Sequence, residues 1–170
     1  DLRANRQPEF TQIDIEMSFV GVEDVIALNE RLVQRVFKEV LDKEVVIPFE
    51  RLTHKDAMER FGSDKPDLRF GMELKDLSDI VRDTEFVVFR NALDANGSVR
   101  AITLTGGASM GRKDIDRLGE FVKTYRAKGL AYIQLKEEGV KTALSKFLSE
   151  EEINSIIDRA EAKTGDLVLI

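Results

Sequence analysis

The sequence has 170 residues, and its 26 Lys and Arg against 32 Asp and Glu give a formal net charge of −6 at pH 7. Hydrophobic residues make up 42% of the chain, which is enough for a core of ordinary size and is not typical of disordered chains. Cysteine is absent and His54 is the single histidine, which argues against disulfides, thiol nucleophiles, a metal site built from Cys or His, and Ser-His catalysis. The composition predicts a soluble globular protein, and no apolar stretch approaches the roughly 20 residues of a membrane span.

Both ends of the sequence suggest part of a longer chain. The first residue is Asp1 rather than Met, and the last four residues are all apolar. We therefore expect the intact gene product to be several times larger than the 19.3 kDa of this chain.

The first 62 residues predict two strands and two helices. Strict alternation of apolar and polar residues over 13–19 predicts a half-buried strand, and apolar residues at intervals of three and four over 22–41 predict an amphipathic helix. A short strand over 45–47 stops at Pro48, and Thr53 predicts the start of a short helix that ends at Gly62.

The later residues predict a second, mixed unit. Two β-rich runs, 86–89 and 99–104, flank Asn96 and Gly97, a pairing that is typical of a hairpin. Ser149 and Glu152 form a predicted capping box for a last helix. The remaining predicted elements are a helix over 112–125 that buries Ile115, Leu118, Val122 and Tyr125, a strand over 130–135, helices over 141–147 and 150–162, and a strand over 166–170.

A polar cluster near the start carries the candidate chemistry. Arg suits phosphate through its planar fork of donors, and carboxylates at alternate strand positions suit an ammonium group or Mg²⁺. A solvated terminus and a polar strand face would explain the same residues without a ligand. The cluster consists of Arg3, Arg6, Gln7, Glu9, Gln12, Asp14 and Glu16.

Two further features can each be explained either structurally or functionally. Gly106 and Gly107 precede a helix and suit either a tight turn or a phosphate contact, although the spacing is not that of a phosphate-binding loop. Basic residues along 112–128 alternate with acidic ones, which favours a solvated mixed face over an RNA-facing patch. We interpret His54 as a surface histidine.

Three separate blocks resemble one family over nearly the whole chain. Residues 3–14 (RANRQPEFTQID) resemble the second half of motif 2 of class II aminoacyl-tRNA synthetases, in the form typical of bacterial-type aspartyl-tRNA synthetases. Residues 61–70 (FGSDKPDLRF) are similar to a second stretch of that family. The third block, with Gly106–Ser109, 112–116, 127–133, 146–149 and 165–167, looks like its insertion domain, called the GAD domain.

The resemblance implies roles for individual residues. The family activates aspartate with ATP and Mg²⁺ and transfers the aspartyl group to the 3′ end of tRNA. Arg3 and Arg6 would then contact the tRNA acceptor end, and Gln7 would contact the ATP. Gln12 and Asp14 would contact the substrate aspartate, with Asp14 next to the α-ammonium group of that substrate. We assign no catalytic residue and no metal ligand to the chain. The family's α-phosphate arginine, motif 1 and motif 3 lie outside the sequence, so we expect the isolated chain to be inactive and to hold no bound cofactor.

The resemblance also implies an α+β fold of two parts. Residues 1–75 would belong to the antiparallel catalytic sheet of a class II synthetase with its helix, 76–165 would form the GAD-type insertion domain, and 166–170 would be a strand that returns to the catalytic domain. We expect the parent enzyme to be a cytoplasmic homodimer without membrane contact, with tRNA, ATP and L-aspartate as its partners.

Two other functions remain open at this point. The chain could be a non-catalytic tRNA-binding or interaction module, because the insertion domain also resembles a part of tRNA-dependent amidotransferase subunits. Residues 7–19 discriminate between these functions, because the amidotransferases have no motif 2. A small α/β protein unrelated to tRNA would require the three-block match to be chance.

Overall fold

The computed structural model describes residues 8–170. Three predicted site residues, Arg3, Arg6 and Gln7, lie outside the described residues. The chain divides into two compact units, Asp1–Arg51 and Leu52–Ile170. No helix in residues 8–170 has both the length and the apolar character needed to cross a membrane.

Helix α1, Val22–Leu41, dominates the described part of the first unit. Its start is capped because the backbone N–H of Gly21 donates to Oδ2 of Asp24 at 2.9 Å. It ends at Asp42, which adopts a left-handed conformation with φ 50° and returns its N–H to the carbonyl of Lys38. The bounds predicted from the apolar periodicity are confirmed.

A buried carboxylate holds the chain that follows α1 along the helix. Glu30 is only 6% exposed, and its Oε1 accepts hydrogen bonds from the backbone N–H of Phe49 at 3.0 Å and from Nη2 of Arg51 at 3.1 Å. One turn further along, Nε2 of Gln34 donates to the carbonyl of Val45 at 2.8 Å. Residues 45–51 are therefore fixed to α1 by side chains rather than by a strand ladder.

The two strands predicted in the first unit are wrong for the described residues. Neither 13–19 nor 45–47 is in a strand, and Phe19 has a positive φ of 58°. A strand needs a hydrogen-bonded neighbour, and the described part of this unit contains no strand that could pair with either segment. The apolar side chains of the first segment remain open to solvent, with Ile13 75% and Phe19 108% exposed.

The second unit mixes short helices with a sheet. The α-helices are α2 His54–Phe61, α3 Val87–Asp94, α4 Arg112–Lys123 and α5 Glu150–Arg159. Single 3₁₀ turns occur at Leu68–Phe70, Gly107–Ser109 and Leu144–Lys146. The strands are β1 Lys75–Asp76, β2 Arg100–Leu104, β3 Tyr132–Lys136, β4 Gly139–Thr142 and β5 Leu167–Leu169.

The five strands form one antiparallel sheet in the order β1-β2-β5-β3-β4. The closing strand β5 lies in its centre, where Val168 pairs with Thr103 of β2 and with Ile133 of β3. This central position buries Leu167 and Val168 fully, whereas an edge strand would leave them partly in water. That residues 166–170 return to the catalytic domain of the parent enzyme stays a prediction.

The core of this unit lies between the sheet and the segments that cover it. The apolar side chains with no exposed surface are Leu77, Val81, Ile133, Ile156, Leu167 and Val168. They come from β3, β5, α5 and the turns after β1, so the core unites residues far apart in the sequence. The described residues therefore form a mixed α+β unit, as expected.

The predicted hairpin around Asn96 and Gly97 is also wrong. Its first arm lies in α3, and the two residues close the end of that helix, with Asn96 at φ 57° and the N–H of Gly97 donating to the carbonyl of Ala92 at 2.9 Å. A Cβ on Gly97 would lie 2.8 Å from that carbonyl oxygen, so glycine is required for this close approach. The helix predicted over 141–147 is replaced by the end of β4 and a single 3₁₀ turn.

The boundary between the two compact units falls after Arg51, earlier in the sequence than the predicted domain division at residue 75. Residues 52–74 belong with the second unit because the N–H of Leu74 donates to the carbonyl of Arg60 at 2.7 Å, and Nη1 of Arg100 donates to the carbonyl of Glu59 at 2.8 Å. Glu73 also pairs with Arg60 at 2.7 Å, and this contact holds the pKa of Glu73 below its usual range. The division at residue 75 concerns the parent enzyme and stays a prediction.

Candidate functional site

The two predicted aspartate-binding residues that the structure describes are accessible. Gln12 and Asp14 are both exposed, in a segment that contains no helix or strand. Neither forms a hydrogen bond or an ion pair with another described residue. Arg3, Arg6 and Gln7 lie outside the described range, so the arrangement of the five residues stays a prediction. What the described part offers is one free carboxylate and one free amide, which suit an ammonium group and a polar ligand.

The Gly106–Gly107 turn is explained by packing. Gly106 adopts a left-handed conformation with φ 71°, and its N–H donates to Oδ1 of Asp166 at 2.9 Å. A Cβ on Gly107 would lie 2.8 Å from Cβ of Leu167 and 2.9 Å from Cγ of Leu104. Both glycines therefore have structural reasons, and the turn interpretation accounts for them without a phosphate.

Asp166 joins this turn to the one before β5. It is 8% exposed, and while Oδ1 accepts from Gly106, Oδ2 accepts from the N–H of Lys163 at 2.9 Å. Both carboxylate oxygens are thus satisfied by backbone donors. The sequence pattern predicts Asp166 only as part of a strand, because nothing local in the sequence relates it to a glycine 60 residues earlier.

Gln134 fixes the start of α4 and was also missed. Its side chain is 3% exposed in the middle of β3, and its Nε2 donates to the carbonyls of Ala108 at 3.2 Å and Met110 at 3.0 Å. These bonds tie the turn before α4 to the sheet. The available signal was an amide at a strand position whose neighbours, Ile133 and Leu135, are apolar, because a buried amide needs hydrogen-bond partners.

Helix α4 packs by one side and exposes the other. Ile115 is 3% exposed, and Leu118 and Val122 are half-buried. The prediction that Tyr125 is buried is wrong, because Tyr125 lies beyond the last residue of the helix, where the backbone no longer follows the helical period, and is 74% exposed. The helix therefore presents an accessible surface that carries both aromatic and basic side chains.

Residues 8–170 bring together no group of three His, Asp or Glu side chains that could hold a metal ion. His54 is exposed in the first turn of α2, as predicted. The described residues thus assemble no metal centre of that kind.

Known proteins resemble the chain at two levels. The GAD domain family matches residues 89–170. Over all 170 residues the chain is 68% identical to the aspartate–tRNA ligase of Clostridium perfringens, 63% identical to that of Clostridium acetobutylicum and 61% identical to that of Clostridium novyi.

The chain spans only 28% to 29% of the length of these relatives. Because the match includes residues 7–19, it favours the ligases over an amidotransferase-like module and over an unrelated α/β protein. The chain therefore matches a segment of aspartate–tRNA ligases that makes up somewhat more than a quarter of their length, and its residues 89–170 match the GAD domain family.

Proposed function

We propose that the intact protein containing this sequence activates L-aspartate with ATP and Mg²⁺ and transfers the aspartyl group to tRNA. The observation that carries the proposal is 59% to 68% identity over the whole chain to proteins named aspartate–tRNA ligase. Since the chain covers under a third of those proteins, the activity belongs to the parent enzyme. We further propose that this enzyme is a cytoplasmic homodimer, as the resemblance implies.

Within that enzyme, the polar cluster near the start would position substrates. Asp14 would accept the α-ammonium group of aspartate and Gln12 would contact the same substrate, while Gln7 would contact ATP. Arg3 and Arg6 would contact the acceptor end of tRNA. Support for the two described residues comes from their exposure and from their lack of a described partner. No protein nucleophile is needed, because the substrate carboxylate attacks the α-phosphate and the protein supplies positioning and charge stabilisation.

The apolar surface of the first unit supports its assignment to a larger catalytic domain. Apolar side chains remain open on residues 13–19 and along α1, for example Val22 at 73% and Val40 at 73% exposure. Exposure of so many large apolar side chains is typical of an interface. We infer that the remainder of the parent enzyme covers it, and that residues up to about 75 belong to a class II catalytic domain with an antiparallel sheet.

The experiment compares the intact enzyme with the 170-residue chain. The intact enzyme should catalyse aspartate-dependent exchange of pyrophosphate into ATP and should charge tRNA, whereas the chain alone should show no exchange. Loss of one preorganised donor costs about a hundred- to a thousand-fold in rate, and the chain lacks several expected groups. Robust exchange by the chain alone would contradict this account of its missing parts, and an inactive intact enzyme would contradict the proposed function.

Two variants of the intact enzyme separate the proposed roles. Asp14→Ala should raise the KM for aspartate by removing the partner of its ammonium group, whereas Asp158→Ala, at an exposed carboxylate in α5, should leave it unchanged. Arg3→Ala should slow transfer to tRNA and preserve pyrophosphate exchange. An Arg3→Ala enzyme defective in exchange would move the role of Arg3 from the RNA to ATP.

A further inference from the structure

Four exposed side chains follow the solvent side of α4 and its end. Lys113, Arg117 and Phe121 recur at intervals of four residues within the helix, where residues four apart are surface neighbours. Tyr125 follows just beyond the last helical residue, Lys123, and its ring contacts that of Phe121. We call this row the α4 stripe. It places two cations beside two aromatic rings on one accessible strip.

The two aromatic rings of the stripe contact each other instead of the core. Phe121 is 57% and Tyr125 is 74% exposed, and their ring centroids lie 5.3 Å apart with an interplanar angle of 62°. The helix is anchored on its other side by Ile115, so the rings are not needed to hold it to the sheet. A stable aromatic pair that faces water offers flat surfaces for another planar group to stack on.

The charge around the stripe is opposite to that of the chain as a whole. Residues 111–129 contain six basic and three acidic side chains, whereas the whole chain has a net charge of −6. The acidic groups pair with Arg117 at 3.4 Å, with Arg112 at 3.9 Å and with Lys123 at 2.6 Å. These pairs are exposed and therefore weak, so a phosphate can replace the carboxylates at little cost. Lys113, Arg126 and Lys128 form no ion pair with any described residue.

We propose that the α4 stripe binds unpaired nucleotides of RNA, with bases stacked on Phe121 and Tyr125 and phosphates held by Lys113 and Arg117. Aromatic side chains that alternate with cations are the usual means of binding single strands without sequence preference. Local positive charge in an acidic protein favours a polyanion over a second copy of the chain, whose stripe would carry the same charge. That the bound RNA is tRNA rests on the proposed function.

The chain contains a built-in reporter for this stacking. It has two tyrosines and no tryptophan, so in the Tyr132→Phe variant Tyr125 is the only residue that fluoresces more strongly than phenylalanine. Titration of this variant with a uridylate 12-mer should quench the tyrosine emission, because a stacked base contacts the ring. Polyphosphate, which has charge but no bases, should bind at low salt and leave the emission unchanged.

Paired variants separate stacking from charge. Phe121→Ala with Tyr125→Ala should weaken binding of the labelled 12-mer by roughly thirty-fold or more, as expected for the loss of stacking on two bases. Lys113→Gln with Arg117→Gln should weaken binding and reduce the slope of log K against log salt by about 1.4, because two phosphate contacts are lost. Matched controls are Phe70→Ala, at a ring that is 74% exposed elsewhere in the same unit, and Lys141→Gln with Lys146→Gln. These controls should bind like the unmodified chain.

Equal affinity of the Phe121→Ala, Tyr125→Ala chain and the unmodified chain would overturn the proposal, as would equal quenching by polyphosphate. Self-association that depends on Phe121, without RNA binding, would make the stripe a protein interface and would also overturn it. In the intact enzyme, stripe variants should raise the KM for tRNA and leave pyrophosphate exchange unchanged. If the intact enzyme with a substituted stripe charges tRNA normally, only the stripe proposal is contradicted. If the chain binds RNA through the stripe but the intact enzyme charges no tRNA, only the proposed function is contradicted.

Discussion

Gly107 lies so close to Leu167 that no side chain fits between the turn before α4 and the central strand. A Cβ on Gly107 would approach Cβ of Leu167 to 2.8 Å, and Leu167 is itself fully buried. Gly107→Ala should therefore destabilise the chain by about 1–3 kcal/mol through overpacking. Urea denaturation followed by circular dichroism measures this loss.

Gly119 provides the matched control for that substitution. It lies within α4, and a Cβ built on it meets nothing within 4 Å. Gly119→Ala should leave stability unchanged or raise it by up to about 1 kcal/mol, because alanine loses less backbone entropy in a helix. Equal destabilisation by both substitutions would contradict the close approach of Gly107 to Leu167.

Asp166 should be more important to stability than an exposed carboxylate of the same unit. Asp166→Ala leaves two backbone donors, on Gly106 and Lys163, without their acceptors in a largely buried turn. Each unsatisfied buried group costs about 1–3 kcal/mol. Asp158→Ala, at an exposed position, should change the unfolding free energy by less than about 0.5 kcal/mol. Similar unfolding midpoints for the two variants would exclude the proposed clamp.

Glu30 should control how tightly residues 45–51 stay on α1. Glu30→Ala removes the acceptor of the Phe49 N–H and of Arg51, so the Phe49 amide should exchange its hydrogen faster. Glu39→Ala removes only an exposed pair with Arg35, of 2.7 Å, and should leave that exchange rate unchanged. Amide exchange measured by NMR distinguishes these outcomes, and an unchanged Phe49 rate in Glu30→Ala would contradict the role of the buried carboxylate.

The features that the sequence predicted correctly depend on neighbouring residues. Thr53 caps α2 by accepting from the N–H of Asp56 at 3.0 Å, and the capping box of α5 forms with Ser149 and Glu152 in both directions. Apolar periodicity likewise gave the bounds of α1. In each case the partner lies within a few residues, so the local pattern contains the whole interaction.

The wrong predictions depend on partners distant in the sequence or on ambiguous short runs. Residues 86–89 are apolar and too short for their period to separate a helix from a strand, and Asn96 and Gly97 suit the end of a helix as well as a hairpin. Gln134 and Asp166 act on turns more than 20 residues away. The predicted site at Gln12 and Asp14 came from the family resemblance, and the other three residues of that prediction, Arg3, Arg6 and Gln7, lie outside the described residues.

The last prediction concerns pH and the pair formed by Asp67 and Arg69. Hydrogen bonds from the side chain and backbone of Arg69 lower the pKa of Asp67 from 3.8 to about 2. A pKa that is lower in the folded state favours folding when the carboxyl is ionised, so the contribution is complete above about pH 3.8 and is lost as the pH falls towards 2. Because the pair is exposed, the effect should be visible in the titration of Asp67 more than in stability.

Carboxyl ¹³C shifts should give a midpoint near pH 2 for Asp67, and Arg69→Gln should return it towards 3.8. Arg159→Gln should instead raise the pKa of Asp79, to which Arg159 donates two hydrogen bonds, and leave Asp67 unchanged. A midpoint of Asp67 near 3.8 in the unmodified chain would show that Arg69 does not hold the carboxylate in solution.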